Sequence, residues 1–115
     1  MSVRGVLIQA RAFIARGWCQ KQSIKFEKGV VCYCTTQAIT MAVTGWDLPG
    51  RDDIRIRDAA YVHLRRTIGG DKWADVGLVR WNDAPERTQQ EILAKFDEAI
   101  NSLPEEERED ATVCS

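Results

Sequence analysis

The chain has 115 residues, 44% of them hydrophobic, and a formal charge of −1. That is the length of one domain with apolar content for a modest core, which excludes an intrinsically disordered protein. The near-zero charge gives no electrostatic warrant for a nucleic-acid binder, and no apolar run approaches the roughly 20 residues that cross a bilayer.

Residues 3–16 read as an amphipathic helix. Val3, Val6, Leu7, Ala10, Phe13 and Ile14 recur at the three-and-four spacing of one face, and Arg4, Gln9, Arg11 and Arg16 take the other. Ser2 is a candidate N-cap, Gly17 a candidate left-handed terminator, and Trp18 is expected to fold back over the apolar stripe. Residues 23–34 change period. Ile24 and Phe26 alternate with polar neighbours, Lys28-Gly29 can turn, and Val30-Val31-Cys32-Tyr33 is rich in strand formers, so a short β-hairpin is expected. An isolated hairpin is marginal in water, so it must lie on helices.

A short buried helix is expected over 35–44, capped by Thr35 or Thr36 and stopped by Gly45, with Ala38 and Ala42 allowing close approach of a neighbour. Trp46 follows as another large core piece. Asp47–Asp53 reads as a loop turning at Pro49-Gly50. Asp52 or Asp53 then caps a helix to Ile68, with Ile54, Ala60, Tyr61, Leu64 and Ile68 inward, Arg55, Arg57, Arg65 and Arg66 outward, and Gly69-Gly70 ending it. Residues 71–81 suggest a helical turn and a short extended segment, with Trp73, Val76, Leu78, Val79 and Trp81 partly buried. The last helix is the clearest. Thr88-x-x-Glu91 has the form of a capping box, and Ile92, Leu93, Phe96, Ala99, Ile100 and Leu103 follow at helical spacing up to Pro104. From Glu105 to Asp110 the tail carries a net −4, leaving +3 on the residues before it. It is expected to be disordered.

Trp18, Cys34-Thr35-Thr36-Gln37-Ala38-Ile39, Trp81-Asn82-Asp83 and Arg87-Thr88-Gln89-Gln90-Glu91 occur in an order that resembles a family of small proteins of unknown function found in bacteria and their phages. The likeness spans most of residues 3–102. Gln37 stands where the family pattern has Gly, which bears on the register of the second helix. The resemblance implies a fold type and a bacterial or phage setting, and it implies no chemistry.

Five constellations could carry function. Cys34 at a helix start, His63 (the only histidine) and Asn82 or Asp83 supply the nucleophile, base and orienter of a thiol-hydrolase triad. The order is similar to that of papain-type hydrolases, but none of their local signatures is present and His63 lies inside a helical pattern. Cys19, Cys32, Cys34 and either His63 or Cys114 could ligate zinc, but Cys32-x-Cys34 is not the paired spacing zinc sites use, so buried thiols are expected and no metal or cofactor is. Asn82-Asp83, between Trp81 and Pro85, suits a structural turn better than a ligand site, with Arg87 as ion partner of Asp83 or Glu91. Arg51, Arg55, Arg57, Arg65 and Arg66 could meet phosphates, but Asp52, Asp53 and Asp58 interleave, and a solvated face is expected. The helix pair about Asp47–Asp53 lacks the polar reading face of a helix-turn-helix. Four tryptophans border turns, and one or two of them are expected to remain exposed as a partner surface.

The expected fold is mainly α with a minor β component, a bundle of about four helices with a hairpin between the first two, over residues 1–103. The expected function is a cytosolic, non-catalytic binding or regulatory module. Its partner is a protein met through Trp18, Trp46, Trp81, Asp83 and Arg87, with no membrane and no nucleic acid involved. The alternative is a small hydrolase using Cys34, His63 and Asn82. The cytosolic expectation rests on the missing secretory-signal pattern, and there the cysteines stay reduced.

Overall fold

A computed structural model describes residues 1–69 and 77–104. Among these are five helices and one hairpin: α1 (Val3–Arg16), β1 (Ile24–Glu27), β2 (Val30–Tyr33), α2 (Thr35–Thr44), α3 (Arg51–Ile68), α4 (Gly77–Asn82) and α5 (Gln89–Asn101). The expectations for Gly70, Trp73, Val76, Cys114 and the acidic tail fall outside the described residues.

α1 forms where the periodicity places it. The Ser2 hydroxyl accepts from the Gly5 N–H at 3.0 Å, and Val6, Leu7, Ala10 and Ile14 are buried. Its charged face is not idle. Arg11 makes a forked pair with Asp97 of α5 at 2.6 and 3.2 Å, and Arg4 Nε donates to the Ile100 carbonyl at 3.2 Å. α1 thus lies between α2 and α5, and its buried stripe meets Ala38, Ile39, Ala42, Phe96 and Ile100 in the one core. Gly17 ends α1 in extended geometry rather than left-handed (φ −175°). Closeness is what requires glycine there, since a Cβ would sit 2.8 Å from Cys32 Sγ and 2.9 Å from the Val31 carbonyl oxygen.

The hairpin pairs Ile24 with Tyr33 and Glu27 with Val30, and Lys28-Gly29 turn with φ of 52° and 78°. Positive φ at both central residues is what a type I′ turn demands. β2 is held against α1 by Tyr33, whose ring meets Phe13 edge-on at 5.4 Å, and against residues 17–19 by a parallel bridge. β1 pairs with β2 in a two-stranded sheet, and while Ile24 packs against the core, Phe26 is 73% exposed instead of facing inward.

α2 begins without help from Thr35 or Thr36 as caps. Its N-cap residue is Cys34, which provides no side-chain cap bond, and Gly45 ends it at φ 63°. α3 starts at Arg51, earlier than expected, because Asp53 caps from the third position, its carboxylate accepting the Gly50 N–H at 2.9 Å. α3 turns Ala60 and Leu64 into the core, with Ile56, Tyr61 and Ile68 beside them, while Ile54 stays outside. Residues 77–82 are helical, not extended, which buries Leu78 and Trp81 against α2 and α3. The capping box of α5 is complete. Thr88 Oγ1 accepts the Glu91 N–H at 3.2 Å, and Glu91 accepts the Thr88 N–H at 2.9 Å. No described helix is long and apolar enough to cross a membrane.

Candidate functional site

The Trp-Asn-Asp turn sits at the centre of a buried polar network that joins residues 47 to 64 positions apart. Asn82 ends α4 with no exposure to solvent. Its Oδ1 accepts three bonds, from the Trp18 indole N–H at 2.7 Å, the Thr35 N–H at 3.0 Å and the Thr35 hydroxyl at 2.6 Å. Its Nδ2 donates to the Cys19 carbonyl and to Asp83 Oδ1, both at 3.0 Å. Thr35 opens α2, so Asn82 caps that helix from a distant part of the chain, which is why Cys34 need not. A helix start buried without a local cap must find its acceptor elsewhere, and a fully bonded amide is the economical partner for buried donors.

The rest of the turn completes the clamp. Asp83 Oδ1 accepts the Lys21 N–H at 2.8 Å, and Gln20 Nε2 donates to the carbonyls of Asn82 and Ala84 at 2.9 and 2.8 Å. Lys21 takes a positive φ of 66° in this embrace. Arg87 donates to the Trp81 carbonyl at 3.0 Å, lies 4.7 Å over the Trp81 ring, and pairs with Glu91 at 3.3 Å. Trp18, Trp81, Asp83 and Arg87 are therefore spoken for within the fold. Gln20 and Lys21 were not singled out from the sequence, and Thr35 was named only as a local cap, because their partners lie some sixty or forty-seven residues away.

Cys34 and Asn82 both adjoin Thr35, whereas His63 is turned toward the end of α5. Cys34 is buried, with Sγ 3.3 Å from Thr36 Oγ1. His63 Nε2 lies 2.9 Å from the Ala99 carbonyl and 2.8 Å from Ser102 Oγ, at the C-terminal end of α5. Tyr61, two residues earlier on α3, places its hydroxyl 2.9 Å from Thr40 Oγ1 and 3.4 Å from the Thr36 carbonyl. Two residues turn a helix by about 200°, so the face of α3 that meets the start of α2 carries Tyr61 and His63 points away to α5. Among the described residues no hydrogen bond joins His63 to Cys34 or Asn82, and both polar atoms of the Asn82 amide are engaged with other groups.

The three described thiols, Cys19, Cys32 and Cys34, are buried and free. Burial pushes Cys19 up to about 11 from its ordinary 9.0, and the neighbouring Cys34 and Cys32 add to the shift. Its Sγ lies 3.4 Å from the Gln22 carbonyl and 3.6 Å from that of Cys32. Among the described residues no three His, Cys, Asp or Glu side chains are grouped to hold a metal ion.

Two stretches of exposed apolar surface stand out among the described residues. Trp46 is 69% and Leu48 93% exposed in the loop between α2 and α3, so Trp46 is not the core piece its size suggested. Its neighbours explain this. Gly45 turns the chain out of α2, and Pro49-Gly50 returns it to α3 before a side chain can reach the interior. The second is the hairpin face. There a groove of about 250 Å³ lies among Phe13, Arg16, Val30, Val31 and Tyr33. A further cleft of about 150 Å³ between α2, α3 and α4 includes Thr36, Tyr61, Arg65 and Leu78.

The profile of a family of unknown function (DUF6197) matches residues 1–102. No curated protein and no solved structure matches the chain. The chain belongs to this family of unknown function.

Proposed function

From that membership, which brings no activity with it, we propose that the protein is a small cytosolic binding or regulatory module without catalysis of its own, and that it engages a protein partner through the loop carrying Trp46 and Leu48. The observation behind this reading is the exposure of two large apolar side chains two positions apart in one loop. Single exposed apolar residues are ordinary on a surface, but Trp is the residue most enriched at the energetic centres of interfaces. Trp46 also differs from its relatives in the chain. Trp81 is buried and Trp18 is hydrogen-bonded to Asn82, so both are used in holding the fold. A bacterial or phage setting, suggested by the family resemblance, makes a host protein a natural target.

The test compares the full chain with Trp46→Ala and Leu48→Ser as baits in its native cell extract, with thermal unfolding measured for each. The expected outcome is a partner retained by the native chain, lost from both variants, and unfolding temperatures that stay within a degree or two. Identical captured proteins from all three baits would overturn the reading.

A further inference from the structure

We propose that the hairpin face is a binding surface for single-stranded nucleic acid. The whole-chain charge conceals a local one. Arg16, Lys21, Lys25 and Lys28 stand against Glu27 alone between residues 16 and 30, a net +3. The other residues ahead of the acidic tail sum to zero, so this one stretch accounts for the entire positive excess of the body. All five charged side chains are exposed. Lys25 is 3.6 Å from Glu27, while Arg16, Lys21 and Lys28 have no ion pair among the described residues. The nearest turn carboxylate, Asp83, is committed to the Lys21 backbone N–H and to Asn82.

The same stretch carries exposed aromatic surface. Phe26 is 73% exposed on β1, whose pairing partner is β2. It is paired with Val31, and cross-strand partners share a face. That face continues through Val31 into the groove, whose walls are Phe13 and Tyr33, with the Arg16 guanidinium 4.9 Å over the Phe13 ring. An exposed aromatic ring within a basic stretch is the arrangement that binds an unpaired strand. Bases stack on the ring and lysines and arginines neutralise the phosphates, with little dependence on sequence. A duplex keeps its bases stacked internally and would leave Phe26 unused, which is the reason for choosing the single strand. The surface is separate from Trp46, so it stands independently of the protein-partner reading.

The test measures fluorescence anisotropy of fluorescein-labelled 15-nucleotide oligo-uridylate and oligo-thymidylate with the full chain. Binding is expected at 50 mM salt. With three phosphate-neutralising groups the log–log salt slope should be near −2, so 200 mM salt weakens binding about 20-fold. Phe26→Ala should weaken it about tenfold through lost stacking, without lowering the unfolding temperature. Arg16→Gln with Lys21→Gln should bring the slope to about −0.7. Arg55→Glu with Arg66→Glu on α3 should leave affinity unchanged, as should Trp46→Ala. The proposal is overturned by any of four results: no anisotropy change at 50 mM salt, affinity indifferent to Phe26→Ala, affinity that follows the α3 arginines, or retention by vesicles of 30% phosphatidylserine in phosphatidylcholine with none by either oligonucleotide.

Discussion

Replacing Asn82 by Ala would strand the Trp18 indole N–H, the Thr35 N–H and the Thr35 hydroxyl together, since all three donate to one oxygen. Each buried donor left unpaired costs about 1–3 kcal/mol. A loss of at least about 3 kcal/mol in urea unfolding is expected, in the range that only named core defects reach. Asn82→Asp should not rescue it, because the new carboxylate no longer donates to the Cys19 carbonyl and lies against Asp83. Gly17 is a steric counterpart. Gly17→Ala should cost about 1–3 kcal/mol by overpacking. Adding Cys32→Ala should restore only part of it, because the Val31 carbonyl at 2.9 Å is backbone and cannot withdraw. Cys19 gives a pH signature. Its thiol is raised to about 11 in the fold, chiefly by burial. The folded state therefore holds that proton more tightly than the unfolded state, so the contribution is whole below pH 9 and is lost as pH climbs toward 11. Unfolding midpoints should fall over that window, and a Cys19→Ala variant should lack this component of the fall.

At the scale of elements, the ends are settled locally in some helices and remotely in others. α5 carries both halves of its own cap, so Thr88→Ala should cost about 1 kcal/mol, read as a lower midpoint in thermal or urea unfolding. α2 is the opposite case. Its cap is Asn82, and the same measurement on Thr36→Ala should show a much smaller change than Thr35→Ala, which removes a hydroxyl bonded at 2.6 Å. α3 shows how one helix serves two neighbours. Tyr61 ties it to α2 and His63 ties it to α5, and Arg51, Arg55, Arg65 and Arg66 are exposed. The hairpin owes its sharp turn to Lys28-Gly29 and its placement to Tyr33, which leaves β1 as a projecting edge.

For the molecule as a whole, the distribution of charge matters more than its sum. An acidic tail of net −4 follows a body of net +3, whose excess lies on the hairpin segment. A chain stopped after Pro104 should keep its unfolding temperature, because it retains Leu103 packed at the margin of the core. It should also bind the oligonucleotides more tightly than the full chain at 50 mM salt, and the difference should shrink at 200 mM as screening grows. Equal affinities at both salt concentrations would mean that the tail's charge does not reach the hairpin.

Much of this fold was legible because its signals are local. Helical spacing fixed α1 and α5 to within a residue, the Thr88-x-x-Glu91 box is a four-residue device, and a two-residue turn between strand formers marks a hairpin wherever it occurs. The membership in a family of unknown function was likewise readable from the order of its motifs. Periodicity could not say how much cover each apolar residue would receive. Phe26 and Trp46 look like core residues to any pattern, and they lie outside because the hairpin turns Phe26 to its exposed end and because two turns carry the loop of Trp46 away. Nor could sequence spacing reveal that Asn82 caps α2 or that His63 faces α5. Hydrogen bonds reach about 3 Å through space at any separation along the chain, so the residues they join are decided only when the helices have packed.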